Sequence, residues 1–222
     1  MILARGEPLV EWDWIADHTD DIRHLTLEHL QLSLSAVALG LVLASALSFL
    51  AIRLPWTYGP ITWATGILYT IPSLALFSFL LPYTGLGTKP ALIGLVSYTL
   101  LILIRNIVTG IRAVPPAVRE AADAMGYRPL RRLLVIEIPL ALPAIVAGLR
   151  LASVTTIGLV TVTAVVGAGG YGTLILDGLN RFFPTPTLVG AVLSMAMAAV
   201  VDLVFQLTGR ALTPWTRRAG GG

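Results

Sequence analysis

Five long stretches of this 222-residue chain contain no aspartate, glutamate, lysine or arginine, and they restrict the fold more than any other feature. They cover residues 29–52, 54–88, 90–104, 151–176 and 182–201. A helix rises about 1.5 Å per residue, so about 20 residues cross the roughly 30 Å hydrocarbon core of a bilayer. Most of these stretches are long enough, and residues 90–104 continue past Arg105 into more apolar sequence. The chain is therefore predicted to cross a membrane several times.

The predicted fold class is an all-α membrane protein. Inside hydrocarbon every backbone N–H and C=O must be bonded within the structure, and no sustained period-two alternation favours strands instead. Only 12% of the residues are charged, compared with about 25% in soluble domains. Five transmembrane helices are predicted near residues 29–52, 57–81, 90–111, 139–165 and 186–209.

Basic residues are unevenly divided between the two sides that five spans create. One side holds Arg53, Arg105, Arg112, Arg119, Arg128, Arg131, Arg132, Arg210, Arg217 and Arg218. The other side holds only Arg5, Arg23, Lys89 and Arg181. Because loops rich in lysine and arginine remain in the cytoplasm, we predict an external N-terminus and a cytoplasmic C-terminus.

This topology divides the chain into three parts. Residues 1–28 form an external N-terminal segment, in which residues 9–28 are predicted to be a short amphipathic helix or, alternatively, a disordered tail. Residues 29–212 form the transmembrane domain, with a cytoplasmic loop at residues 113–138. Residues 213–222 form a cytoplasmic tail whose glycine-rich end is predicted to be disordered.

The cytoplasmic loop is predicted to contain a short polar helix. Pro115-Pro116 ends the third span and suits a new helix start. Gly126 suits the helix end, because glycine accepts the left-handed conformation there. One apolar stripe has the i, i+3, i+4, i+7 spacing and comprises Val118, Ala121, Ala122 and Met125. Arg119 and Asp123 are predicted to pair on another face. The helix either docks on a partner outside the bilayer or packs on its own bundle as an ordinary hairpin.

The motif in this loop resembles the EAA loop of permease subunits of ATP-binding-cassette (ABC) importers. It reads Glu120-Ala121-Ala122-x3-Gly126-x9-Ile136-x-Ile138-Pro139, with Ile138 where leucine is usual. The resemblance implies the type I importer permease (MetI-like) fold and a coupling helix that sits in a cleft of a cytoplasmic ATPase. The residues implied in ATPase coupling are Val118, Arg119, Glu120, Ala121, Ala122, Met125 and Gly126.

Four further segments, residues 69–76, 82–90, 105–110 and 167–172, resemble the glycine betaine, carnitine and choline osmoprotectant permeases. This resemblance implies a prokaryotic plasma-membrane protein that works with ATPase subunits, a second permease (identical or paralogous) and an external substrate-binding protein. Permeases for another small solute, such as methionine or another betaine, are the nearest alternative.

The chain is predicted to be a transport subunit and not an enzyme. It has no Gly-x4-Gly-Lys-Ser/Thr phosphate loop, so it is predicted to bind no cofactor itself, with ATP and Mg bound by the partner ATPase. A secondary transporter would show inverted repeats and several intramembrane charge pairs, which the sequence lacks. The basic residues fit positive-inside loops and do not predict nucleic-acid binding. Cysteine is absent and the three histidines do not share one helical face, so no metal site is predicted.

Two further sets of candidate residues lie in or beside the spans. Arg150 and Asp202 lie at similar predicted depths from the cytoplasmic side, so they are predicted to form an intramembrane ion pair, either structural or in contact with substrate. A glycine-rich break at the outer end of span four is a candidate gate or translocation path, and comprises Gly167, Gly169, Gly170 and Gly172. Asn106 belongs to the same hypothesis.

Overall fold

The computed structural model describes residues 9–217. The predictions for Arg5, for Arg218 and for the glycine-rich C-terminal end therefore lie outside the described residues. Between residues 9 and 217 the chain is helical and contains no strand. The helices are α1 (Trp12–Asp17), α2 (Thr19–Arg53), α3 (Tyr58–Thr70), α4 (Ser73–Thr84), α5 (Thr88–Arg112), α6 (Pro116–Ala124), α7 (Pro129–Arg132), α8 (Ile138–Val160), α9 (Tyr171–Asn180) and α10 (Pro184–Leu212).

Four helical stretches are long and apolar enough to cross a membrane. They are Thr19–Arg53, Thr88–Arg112, Pro129–Val166 and Pro184–Leu212. A fifth span exists if the bent pair Pro55–Thr70 and Ser73–Thr84 is counted as one. The all-helical membrane class predicted from the sequence is confirmed, with four to five candidate spans.

The predicted second span at residues 57–81 is wrong as a single helix. The structure breaks it at Ile71-Pro72, between α3 and α4, and the chain bends sharply there. Proline disfavours the helical conformation in the residue before it and has no N–H to bond to the preceding turn. Pro72 itself has an extended ψ of 134° and acts as the N-cap of α4.

The predicted short helix at residues 9–28 also has the wrong bounds. The first helix covers only Trp12–Asp17, and residues from Thr19 onward belong to the 35-residue helix α2. The break falls at His18, whose Nδ1 lies 2.8 Å from the carbonyl oxygen of Trp14. Asp20 and Asp21 occupy the first turn of α2, where acidic side chains favour a helix start.

The helical stretch that contains the fourth span begins at Pro129, ten residues before the predicted start of the span at Pro139. Pro129 starts this stretch, and α7, a π turn at Leu133–Glu137 and α8 follow one another without a break. Pro139 and Pro143 lie inside this stretch and do not begin it. Residues Thr161–Val166 continue as a 3₁₀ helix, which ends at Gly167 in the left-handed conformation.

The chain divides into two compact units, and each has its own buried residues. Among the described residues, one unit comprises residues 37–70, 96–154 and 200–217, and its core includes Ala44, Ile104, Val108, Leu133 and Ala152. The other comprises residues 9–36, 71–95 and 155–199, and buries Phe77, Leu95, Val160 and Val166.

Small residues allow close contact between helices within the first of these units. A Cβ added at Gly40 would lie 1.9 Å from Thr99 Oγ1, so α2 and α5 approach too closely for any larger side chain there. Such contacts matter in a membrane, where no hydrophobic force drives helices together and association depends on packing and polar contacts.

Candidate coupling and translocation sites

Helix α6, which carries the predicted coupling residues, has the start and end that its sequence predicts. It begins with Pro116 in its first turn and ends at Ala124. Gly126 has a φ of 78°, and its N–H donates to the Asp123 carbonyl at 2.9 Å. The N–H of Tyr127 donates to the Ala122 carbonyl at 3.1 Å. These two bonds form a Schellman motif, which satisfies carbonyls that the helix end leaves free.

The predicted apolar stripe on α6 is partly buried and partly exposed. Ala122 is fully buried, whereas Ala121 is exposed and Met125 is 68% exposed. The reason is local: the same nine-residue helix must pack one face on its own chain, and Ala122 occupies that face. The surface that remains for another molecule combines Glu120, Ala121 and Met125, which are all exposed.

The predicted pair between Arg119 and Asp123 does not form. Arg119 Nη2 donates to the carbonyl oxygen of Ile111 at 2.6 Å, near the end of α5. Asp123 instead accepts hydrogen bonds from Arg132, which also donates from Nε to Glu137 Oε1 at 2.8 Å. An exposed i, i+4 ion pair stabilises a helix by only about 0.3–0.5 kcal/mol, so tertiary contacts readily outweigh it.

The structure brings Arg150 and Asp202 together. Arg150 Nε donates to Asp202 Oδ1 at 2.8 Å, and Nη2 donates to Oδ2 at 2.9 Å. These two parallel bonds are the bidentate geometry that makes an arginine–carboxylate pair strong and directional. The pair joins α8 and α10, and both residues lie inside candidate spans, where a lone charge would be costly.

The glycine turn, residues 167–172, leads from the end of the 3₁₀ helix into the first two residues of α9. Gly167, Gly169 and Gly170 have φ values of 75°, 84° and 75°, which side chains other than glycine rarely adopt. Gly172 is required for a different reason, because an added Cβ would lie 2.0 Å from the carbonyl oxygen of Thr161. The predicted break at the end of span four is therefore present.

Two residues where the first apolar stretch begins accept hydrogen bonds from the backbone of the glycine turn. The N–H of Gly170 donates to Glu28 Oε2 at 3.0 Å, and the N–H of Tyr171 donates to His29 Nδ1 at 3.2 Å. His29 is fully buried, and its Nε2 donates to the Ile157 carbonyl at 3.0 Å. Since Nδ1 accepts a hydrogen bond, the proton of the neutral ring lies on Nε2.

Sequence reasoning missed this contact between Glu28, His29 and the glycine turn. The available signal was the polar pair immediately before an otherwise uncharged membrane stretch, where each polar group needs a partner. The identity of the partner was not predictable from the sequence, because the bonded residues are 142 positions away.

The side chain of Asn106 bonds within α5 and lies close to α8. Its Nδ2 donates to the carbonyl of Ile102 at 2.8 Å, and its Cβ lies 2.5 Å from the position of a Cβ added at Gly148. The structure thus places Asn106 in a tight α5–α8 contact. Within residues 9–217 no group of three His, Cys, Asp or Glu side chains is arranged to hold a metal ion.

Comparison with known proteins shows a family match over most of the chain. The model of the family described as "Binding-protein-dependent transport system inner membrane component" matches residues 36–214. The choline transport system permease protein OpuBB of Bacillus subtilis is 37% identical over 194 residues, which cover 87% of this chain and 89% of that protein. The osmoprotectant import permease protein OsmW of Salmonella typhimurium is 35% identical over 206 residues, covering 90% and 96%.

Solved structures show the same fold. A chain of the inward-facing MetNI methionine ABC transporter matches with a TM-score of 0.77 and 21% identity, covering 84% of this chain and 94% of that chain. A chain of an amino acid ABC transporter with histidines matches with a TM-score of 0.69 and 18% identity, covering 91% and 99%. The fold is therefore the MetI-like type I importer permease fold. With the family match, this makes the chain an inner-membrane transport subunit and not an enzyme: it belongs to the binding-protein-dependent transport system inner membrane component family, as a permease subunit of an ABC importer.

Proposed function

We propose that this permease subunit translocates a quaternary-ammonium osmoprotectant such as glycine betaine, carnitine or choline. The names of the relatives support this substrate class: they refer to choline, to glycine betaine with carnitine and choline, and to osmoprotectant import. The subunit pairs with a second permease, identical or paralogous. An external binding protein delivers the solute, and a cytoplasmic ATPase binds ATP and Mg, so this chain binds no cofactor.

The single observation that carries the coupling part of this proposal is the surface of α6. Glu120, Ala121 and Met125 are exposed on a helix that is closed at its C-terminal end by a Schellman motif. Alanine lets a partner approach the backbone closely, and methionine adapts to an irregular surface. Glu120 supplies a charge that fixes orientation. We infer that this surface docks in a cleft of the ATPase.

The topology follows from the same proposal. The bent pair α3–α4 counts as one span, which gives five spans, an external N-terminus and a cytoplasmic C-terminus. Residues 29–212 form the transmembrane domain, residues 113–138 the cytoplasmic coupling loop and residues 213–222 the tail. The Arg150–Asp202 pair holds two spans in register. The glycine turn belongs to the outer part of the translocation path, and Asn106 on α5 is a separate candidate for that path.

Uptake by the reconstituted complex tests the substrate. The permease, its ATPase and its binding protein are placed in proteoliposomes, and ATP-dependent uptake of labelled glycine betaine, carnitine, choline and methionine is compared. The proposal predicts saturable uptake of at least one quaternary ammonium compound and none of methionine. Uptake of methionine alone would refute the substrate class while leaving the permease role intact.

Crosslinking tests the docking of α6. The chain contains no cysteine, so Ala121→Cys introduces one reactive thiol on the exposed face. A bifunctional thiol reagent added to the complex is expected to join this residue to the ATPase subunit. Thr216→Cys, in the cytoplasmic tail, serves as the matched control for labelling from the same side. Labelling of Ala121→Cys only from the external side would contradict the proposed topology.

A further inference from the structure

Glu137 is the only buried acidic side chain in the described part of the chain. It lies in the π turn at Leu133–Glu137, immediately before α8, and only 4% of the residue is exposed. Burying an unpaired carboxylate is costly, so such groups are kept only with charged or hydrogen-bonding partners. The partners of Glu137 are two arginines from the coupling loop.

Arg132 bridges Glu137 and the coupling helix. Its Nε donates to Glu137 Oε1 at 2.8 Å, while its Nη1 donates to both oxygens of Asp123 on α6. Arg119, also on α6, places its Nε 3.8 Å from the same Glu137 oxygen, an ion-pair contact longer than a hydrogen bond. The planar guanidinium of arginine suits this use, because it offers several donors in a rigid arrangement.

The π turn makes this bridge possible. Residues five apart, such as Arg132 and Glu137, point in different directions on a regular α-helix, where neighbours are three or four apart. In a π turn the backbone bonds run from i to i+5, as in the bond from the Ile138 N–H to the Leu133 carbonyl. The extra residue per turn brings Glu137 and Arg132 to the same side, and such turns frequently mark functional sites.

The bridge connects the coupling helix to the start of a membrane-spanning helix. Asp123 has a 53% exposed side chain at the α6 end, and Glu137 has a 6% exposed side chain at the base of α8. Arg119 adds a second link, from α6 to the carbonyl of Ile111 near the end of α5. A displacement of α6 is therefore passed to α5 and α8 through charged hydrogen bonds as well as through the packing of Ala122.

We propose that Glu137 is a positioning residue for energy coupling: through Arg132 and Asp123 it fixes α6 to the base of α8, so that ATPase movement reaches the membrane. This inference rests on the proposed docking of α6 on the ATPase. It predicts that weakening the bridge leaves the ATPase bound and active but lowers the number of solute molecules transported per ATP hydrolysed.

The test compares Glu137→Gln with wild type in the complete complex in proteoliposomes. Glu137→Gln keeps the side-chain shape and removes the charge. Uptake per ATP hydrolysed is expected to fall between about twofold and thirtyfold, the range that mutations in a coupling network produce. ATP hydrolysis and the Ala121→Cys crosslink to the ATPase are expected to persist. Arg128→Gln, an exposed arginine of the same loop outside the bridge, is the matched control and should keep the wild-type ratio.

Asp123→Asn provides a second variant, because Asp123 is half exposed and its change does not leave a charge buried. The same direction of effect is expected, and Asp123→Asn is expected to add little in a Glu137→Gln background. A wild-type transport-to-ATP ratio in both single variants would overturn the proposal. Equal loss of hydrolysis, crosslink and uptake in both would also overturn it, since that pattern indicates a role in assembly alone. Absence of the crosslink in otherwise wild-type Ala121→Cys would instead refute the docking of α6.

Discussion

Gly172→Ala is predicted to destabilise the subunit through a backbone collision at the glycine turn. A Cβ at residue 172 would lie 2.0 Å from the carbonyl oxygen of Thr161 and 2.7 Å from its carbonyl carbon. Ordinary van der Waals contact begins at 3.4 Å, and the atoms in the way belong to backbone that cannot rotate aside. Forcing one extra carbon into a packed site costs about 1–3 kcal/mol, and a backbone obstacle places this change at the upper end of that range.

Thermal unfolding of the complex in detergent measures this cost. For a chain of this length 1 kcal/mol corresponds to roughly 2–4 °C, so the midpoint is expected to fall by roughly 5 °C or more. Gly158→Ala is the matched control, because it lies inside α8 with no atom within 4 Å of the added Cβ. Alanine stabilises a helix interior by about 1 kcal/mol relative to glycine, so the unfolding midpoint of Gly158→Ala should be unchanged or higher. Equal midpoints for Gly172→Ala and Gly158→Ala would refute the reasoning.

Four more substitutions test the end of α6, the contact with the glycine turn and the ion pair. Gly126→Ala meets open space but must adopt a φ of 78°, which costs about 1–2 kcal/mol; uptake is expected to fall while the amount of protein in the membrane is unchanged. His29→Phe removes the acceptor of the buried Tyr171 N–H and should cost about 1–3 kcal/mol, seen as a lower melting midpoint. Arg150→Met or Asp202→Leu alone leaves an unpaired charge in a span, so each should lower the amount of protein in the membrane. The double variant should be present in the membrane in a larger amount than either single variant. A double variant no better than the singles would show that the pair does not hold the spans together.

The fold could be predicted largely from the uncharged stretches. Their length and their lack of charge indicate membrane helices whatever the individual apolar residues are, because hydrocarbon requires the backbone to satisfy its hydrogen bonds internally. The bounds were less predictable. A helix can continue from an aqueous segment into the membrane without a sequence boundary, as α2 does from Thr19. Pro72 indicated the break at Ile71-Pro72, but the length of the uncharged stretch favoured one continuous span.

The candidate sites were predictable where the signal was local. Gly126 ends α6 because a left-handed residue is needed there, and Arg150 and Asp202 pair because each is a charge with few alternatives in its surroundings. The hydrogen bond between Arg132 and Glu137 was not predictable from their spacing, because a π turn changes which residues face each other. Whether the Ala122 side chain faces its own chain or the exposed surface was not predictable either, since alanine suits both an internal contact and a docking surface.

Polar residues in this subunit fix the arrangement of helices that apolar packing alone leaves undetermined. Leucine and valine on neighbouring spans interact about as well with lipid as with each other, so they do not select one register. The Arg150–Asp202 bonds join residues 52 positions apart, and the Glu28 and His29 bonds reach 142 positions to the glycine turn. Each of these polar groups would be left without a partner if its helix shifted by one residue, and that cost favours a single arrangement. It follows that substitutions at these few polar positions should affect assembly more than most substitutions of the far more numerous apolar residues, and a scan of α2 and α8 by membrane level would measure that difference.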